Sequence, residues 1–292
     1  MRLFVFGMGY SALATVEALH QLGETPLHVA GTTRSADRAE EFAESGMALH
    51  LFDGHSPGAT LVGDLTEATH LLLSIPPEGE GDPALVLHRA DLDRAPNLQW
   101  IGYLSTVGVY GDFAGAWIDE DAPTRPLNLR SRQRVDAEQD WRDYAKSRGL
   151  PLFIERLAGI YGPGRSAFDK LREGTARRII KPGQVFNRIH VADIGRITAL
   201  AARARLDGTF NLADNEPAPP QDLVSYAASL MGVAAPPDTP FETADLTAMA
   251  RSFYSDNKRV SNKRLLGVLK TELEFPDYRA GLEGIWQAEK NR

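Results

Sequence analysis

Short apolar runs alternate with longer segments of helical periodicity over the first two-thirds of the chain. Leu3–Phe6, Leu27–Gly31, Ala48–Phe52, His70–Ile75, Trp100–Leu104 and Leu152–Arg156 each read as a strand. Between them, Ser11–Leu22 reads as a helix stopping at Gly23, and Ala36–Ser45 as a helix ending at Gly46. The segment Arg130–Arg148 is heavily charged, with Val135, Ala137, Trp141, Tyr144 and Ala145 as its apolar positions, the pattern of an amphipathic helix with most charges in solvent. Apolar runs separated by helices predict parallel strands joined by crossovers. Right-handed crossovers place helices on both sheet faces. The expected fold class is therefore α/β, a Rossmann-type doubly wound parallel sheet.

The pattern changes after Phe210-Asn211-Leu212. Pro217, Pro219 and Pro220 precede a helical stretch over Gln221–Met231, and Pro236, Pro237 and Pro240 break the chain again. Residues 1–213 are expected to form the Rossmann domain and 214–292 a smaller lobe for substrate, with the loop 157–187 contributing to that lobe. A length of 292 residues, 43% of them hydrophobic and 24% charged, is ample for such a core. A net charge of −7 argues against nucleic-acid backbones and anionic membranes as partners. No cysteine is present, which removes disulfides, thiolate metal sites and a Cys nucleophile. The N-terminal apolar run is too short for a signal-peptide core, and no run reaches the ~18 apolar residues of a membrane span. These features fit a cytoplasmic protein, monomeric or homodimeric, acting on a small molecule.

The chemistry begins at Gly7-Met8-Gly9-Tyr10-Ser11-Ala12, between the first strand and first helix. Gly7 permits the tight turn, Gly9 lets the backbone approach a pyrophosphate, and Ala12 keeps helix and strand close. The helix N-terminus, through Tyr10 and Ser11, offers partial positive charge to an anion. At the end of the second strand, where NAD-selective sites usually carry an acid, the chain reads Gly31-Thr32-Thr33-Arg34-Ser35. Arg34 is placed to give bidentate bonds to a 2′-phosphate, so NADP is favoured over NAD; the alternative is a solvated loop arginine. Asp53 is either an adenine contact or a turn residue. Ser74-Ile75-Pro76 ends the fourth strand where backbone contacts to the cofactor are expected.

Further along, Ser105-Thr106-Val107-Gly108-Val109-Tyr110-Gly111, Arg156-Leu157-Ala158-Gly159-Ile160-Tyr161-Gly162-Pro163-Gly164, Arg188-Ile189-His190-Val191-Ala192-Asp193 and Gly208-Thr209-Phe210-Asn211-Leu212 follow in order. Together with the glycine loop, these segments resemble the extended short-chain dehydrogenase/reductase superfamily, in its NAD-dependent epimerase/dehydratase group. The resemblance covers most of residues 1–265. It implies that Thr106 orients the reacting oxygen, that Ser105 lies beside the cofactor, and that Tyr110, Arg156, Tyr161 and Arg188 face the substrate. Arg165, Arg251, Tyr254 and Lys258 fall in segments that border the substrate cleft in that family; they suggest an anionic or phosphorylated substrate, or else ordinary salt bridges.

Two departures mark the chain as atypical. Its glycine loop is one residue shorter than the family's. Where the family places Tyr-x-x-x-Lys, the chain reads Arg130-Ser131-Arg132-Gln133-Arg134. Arg134 keeps a positive charge that could reach the ribose, but a guanidinium with a pKa above ~12 cannot replace the acid-base tyrosine near pH 7. Tyr110, Tyr161 and His190 are weak substitutes: packing or ligand contact explains the two tyrosines better, and capping or packing at its strand explains His190. Tyr144 with Arg148 imitates the motif but lies roughly four turns further along the helix. His50 and His55 around Asp53 lack metal-ligand spacing, so no metal is expected. Two functions remain: an NADP-dependent oxidoreductase or epimerase-like enzyme on a carbonyl or sugar-type substrate, or a non-catalytic NADP-binding sensor.

Overall fold

The computed structural model of the protein describes residues 1–79 and 81–291. The chain forms two compact units, each assembled from three stretches. Unit 1 comprises Met1–Val109, Asn128–Arg156 and Ile194–Phe210; unit 2 comprises Tyr110–Leu127, Leu157–Asp193 and Asn211–Arg292.

Unit 1 begins with β1 (Arg2–Phe6), α1 (Tyr10–Gln21), β2 (His28–Thr33), α2 (Ala36–Glu44) and β3 (Ala48–Leu51). It continues through α3 (Val62–Thr66), β4 (His70–Leu73), α4 (Pro83–Asp93), β5 (Trp100–Thr106) and α5 (Leu129–Arg148). The sheet runs from the strand Gly208–Leu212 through Leu152–Leu157, β5, β4, β1 and β2 to β3. β1 pairs in parallel with both β2 and β4, β2 with β3, and β4 with β5. The strand order turns at β1, where β2 lies on one side and β4 on the other. In a doubly wound sheet that reversal opens a crevice at the carboxyl ends of the strands.

The strands match the apolar runs because both faces of the sheet are covered. Leu71, Leu72 and Leu73 of β4 are all at 0% exposure, which is why their run is continuous and not alternating. Helix ends also follow local chemistry. Asn128 caps α5, its side-chain oxygen accepting from Ser131 N at 2.9 Å, and Gly149 ends that helix in the left-handed region. The buried face of α5 carries Ala137, Trp141, Tyr144 and Ala145 as expected, but also Ser131 and Glu138, while Val135 is only half-buried. Glu138 is buried because Arg156 neutralises it, a partner that helix periodicity cannot reveal.

Unit 2 contains small parallel two-stranded pieces: Gly159–Tyr161 with Arg188–His190, Arg178–Ile180 with Asp238–Pro240, and Trp117–Ile118 with Arg259–Val260. Its helices Ala167–Arg172, Pro220–Met231 and Tyr278–Lys290 enclose a core of Phe168, Ala227, Tyr278, Leu282 and Ile285. The Asp193 carboxylate accepts from the backbone N–H groups of Glu274 and Phe275 at 2.7 and 2.9 Å, tying a late loop to this unit. No helix among the described residues is long and apolar enough to cross a membrane.

Candidate functional site

The parallel register brings the carboxyl ends of β1, β2, β3 and β4 to one edge of the sheet. A cavity of about 360 Å³ opens there, lined by Gly7, Gly9, Thr33, Arg34, Asp53, Ser74, Ile75 and Pro76 among others. These eight were singled out in the sequence as cofactor contacts, Asp53 with a turn role as the alternative; Met8, Thr32, Phe52, Gly54, Glu78 and Pro83, which also line it, were not.

The two glycines do different work. Gly7 has φ +89°, and a Cβ there would stand 2.6 Å from Ile75 Cγ2, so the turn requires glycine. Its N–H donates to Thr32 Oγ1 at 2.8 Å. Gly9 has φ −100°, which any residue accepts, and a Cβ there would meet nothing nearer than Gly7 O at 3.9 Å. Its missing side chain leaves open space on the cavity wall. Gly9 is also the N-cap of α1, with no side-chain cap and no acid in the first turn. That helix end therefore presents its partial positive charge to the cavity without a protein anion to satisfy it. Ala12 is fully buried against the fold and Ser11 is 7% exposed; Tyr10 is half-buried, and none of the three lines the cavity.

Arg34 is exposed at the cavity rim. Arg38, in the first turn of α2, lines the same cavity with its guanidinium 5.3 Å from the Phe42 ring. Sequence reasoning missed Arg38 and Ser35; the signal was the spacing of four residues from Arg34 into a helix capped by Ser35, whose Oγ accepts from Arg38 N. Asp53 lines the cavity and also closes a turn, its Oδ1 accepting from His55 N at 2.8 Å. That backbone N–H holds the carboxyl below the ordinary carboxylate range. The loop beyond it is anchored by buried His88, whose Nε2 accepts from Gly58 N at 3.3 Å while Nδ1 pairs with Asp91.

Thr106 ends β5, half-buried, and its Oγ1 accepts from Gly108 N at 3.1 Å. Arg130, at the second position of α5, is exposed. Arg134 turns inward to β5, donating to Leu104 O at 2.7 Å and to Tyr103 OH at 3.4 Å, with the guanidinium 5.7 Å from the Tyr103 ring. Its charge acts on buried Asp82, whose carboxyl is pushed up to about 6 by desolvation, with Arg134 among the opposing influences. Arg134 thus has firm backbone and ring partners inside unit 1.

Several residues expected at the ligand have partners in the protein interior. Ser105 is 4% exposed and donates to Glu138 Oε1 at 2.6 Å. Arg156 is 5% exposed and holds the same carboxylate with Nε and Nη2 at 3.0 and 2.7 Å. In unit 2, Tyr110 is at 0% exposure and donates to Asn211 Oδ1 at 2.7 Å. Tyr161 is 5% exposed, its hydroxyl reaching Asp277 O at 3.4 Å. Arg188 is 6% exposed and donates to Phe186 O and Ala218 O, both at 3.1 Å. These side chains, expected to face cofactor or substrate, are buried and hold hydrogen-bond partners within the protein. Arg251 lies 5.0 Å from the Phe241 ring and donates to Ala244 O, and Lys258 pairs with Asp256 and Gly111 O; Arg165 is exposed. His190 packs 4.1 Å from the Phe275 ring centroid, and burial lowers its pKa to about 4, so it stays neutral. Tyr144 sits in the core, its hydroxyl accepting from Arg148 at 2.8 Å. His50 is bonded to Thr60 and Asp64, and no group of three or more potential metal ligands gathers among the described residues.

No family model and no curated protein matches the chain. Solved structures do. A conserved protein of unknown function from Silicibacter pomeroyi DSS is 47% identical, with a TM-score of 0.87 over 98% of both chains. A putative NAD-dependent epimerase/dehydratase from Methylobacillus flagellatus is 25% identical, TM-score 0.71, covering 99% of this chain and 98% of that one. UDP-glucose 4-epimerase from Thermus thermophilus, solved as a complex with NAD, is 19% identical, TM-score 0.75, over 99% of both chains. The fold is thus that of the NAD-dependent epimerases and dehydratases, the extended short-chain dehydrogenase architecture. Within it, the chain belongs to the family of the Silicibacter pomeroyi protein.

Proposed function

We propose that the cavity of unit 1 binds NADP and that the protein is an NADP-dependent oxidoreductase or epimerase-like enzyme acting on a carbonyl or sugar-type substrate. The observation that carries the reading is the cavity wall itself: an uncapped helix N-terminus, the open space at Gly9, and Arg34 with Arg38 at the rim. The residues fit a dinucleotide. The Gly9 side of the loop takes the pyrophosphate, and the two guanidiniums take a 2′-phosphate by charge-assisted bonds. When bound, the nicotinamide supplies or accepts hydride. Thr106 keeps its hydroxyl proton available, because its Oγ1 accepts from Gly108 N, and so can donate to a substrate oxygen.

Fluorescence titration of NADPH and NADH tests the cofactor reading, with tighter NADPH binding expected and equal affinities refuting it. For the reaction, NADPH consumption is followed over a panel of aldehydes, ketones and nucleotide sugars. Loss of the resulting activity in Thr106→Val is expected; activity untouched by that change places the chemistry elsewhere.

A second reading, an NADP-binding sensor without turnover, is favoured by one specific observation. Position 130 carries an exposed arginine where the resembled family uses its acid-base tyrosine, and Arg134 is engaged with β5. A nucleotide-dependent change in a partner's affinity, with no substrate consumed, decides for this reading.

A further inference from the structure

Ser131 lies one position beyond Arg130, at the third residue of α5. It is 7% exposed, and Asn128 accepts its backbone N–H. Its hydroxyl makes no hydrogen bond to another described residue. Serines later in their helices back-bond to a carbonyl one turn earlier, Ser147 to Tyr144 O at 2.7 Å, Ser225 to Gln221 O at 2.9 Å and Ser229 to Tyr226 O at 2.7 Å, whereas Ser131 stands in the first turn. The hydroxyl of Ser131 is open to a ligand or water oxygen.

The surroundings identify where that oxygen would sit. A Cβ built on Gly108 would stand 3.2 Å from Ser131 Oγ and 3.4 Å from Thr106 Oγ1. Glycine at 108 therefore lets two hydroxyls, one from the end of β5 and one from the start of α5, border the same niche beyond the point where a Cβ would stand. Thr106 Oγ1 accepts from Gly108 N, which leaves its proton for the niche. The proton of Ser131 is likewise uncommitted. Two O–H donors around one point suit an oxygen acceptor: a carbonyl, or an alkoxide-like oxygen as negative charge develops.

We propose that Ser131 is a second substrate-binding hydroxyl, which with Thr106 holds the reacting oxygen of a carbonyl or secondary-alcohol substrate over Gly108. The inference rests on the reading of Thr106 as the reaction site. It assigns Ser131 binding and polarisation of that oxygen.

The test is a high-resolution crystal structure of the full chain grown with NADPH. A water oxygen within ~2.6–3.2 Å of both hydroxyls is expected as the stand-in for the substrate oxygen. Gly108→Ala should expel it, because the added methyl, 3.2 Å from Ser131 Oγ and 3.4 Å from Thr106 Oγ1, would stand where the shared oxygen approaches. A site without a shared oxygen, or one that keeps it in Gly108→Ala, overturns the proposal. Titration separates this from the cofactor reading: Ser131→Ala should bind NADPH within about twofold of the parent protein, since the residue is not on the cavity wall. A loss of NADPH affinity larger than tenfold in Ser131→Ala would assign Ser131 to the cofactor site and refute the substrate role. If the parent protein binds no NADPH at all, the cofactor reading fails by itself, and the shared oxygen still decides for or against Ser131.

Discussion

Removal of the guanidinium at position 34 gives the sharpest test of cofactor choice. Arg34 is exposed on the rim of the cavity, so Arg34→Ala should leave the fold intact. A charge-assisted contact is worth about 1.5–3 kcal/mol. Exposure and the presence of Arg38 on the same wall place Arg34→Ala near the lower figure, roughly a tenfold weaker NADPH complex. Arg34→Ala with Arg38→Ala should approach the upper figure, roughly 100-fold. NADH, which lacks the 2′-phosphate, should bind all three proteins alike. Screening adds a second signature: raising salt should weaken the NADPH complex more than the NADH complex, and this difference should shrink in the double variant. Titration of both nucleotides by fluorescence at two salt concentrations reads all of these quantities. An NADPH/NADH affinity ratio unchanged by the double substitution would refute the assignment of the two arginines.

The glycine loop predicts opposite outcomes at its two glycines. Gly9→Val should keep the melting temperature within a few degrees yet abolish nucleotide binding, because the branched side chain would enter only the cavity; normal binding would show the loop misread. Gly7→Ala should instead destabilise the fold by about 1–3 kcal/mol in chemical denaturation, since it combines φ +89° with a contact at 2.6 Å. Glu155, fully buried with Thr198 donating to it, has its carboxyl pushed up by desolvation to about 8 from an ordinary 4.5. The folded state holds this proton between those values while the unfolded chain releases it, so stability should fall as pH rises through that window and level off above it. Glu155→Gln should remove on the order of 4 kcal/mol of that fall, measured by denaturation at pH 5, 7 and 9; parallel curves for the two proteins would refute the shift. Arg130→Tyr with Arg134→Lys should raise NADPH-dependent carbonyl reduction, for which acid-base groups typically supply ~10²–10⁴-fold; an unchanged rate on a substrate the parent protein accepts counts against this geometry.

The sequence by itself determined the sheet and much of the lining of the cavity at its edge. The strands are buried on both faces, so they appear as continuous apolar runs. The contacts of the cavity lie in the loops that follow those strands: Gly7 and Gly9, then Arg34, Asp53 and Ser74–Pro76. Once the strands are parallel and adjacent, their carboxyl ends must meet, and a local motif becomes a three-dimensional site. Only the tertiary structure decided the fate of the later polar residues. Arg156 and Ser105 read as ligand contacts along the chain, but Glu138, one helix away, takes both of them. Tyr110 is taken by Asn211, 101 positions on, and Arg188 by the carbonyl of Ala218. A buried polar group must find a partner, and the partner comes from whatever element the fold places opposite, which no spacing along the chain encodes. For the same reason Ser131 was passed over in a charged helix: its free hydroxyl and its place beside Gly108 exist only when α5 is laid against the end of β5.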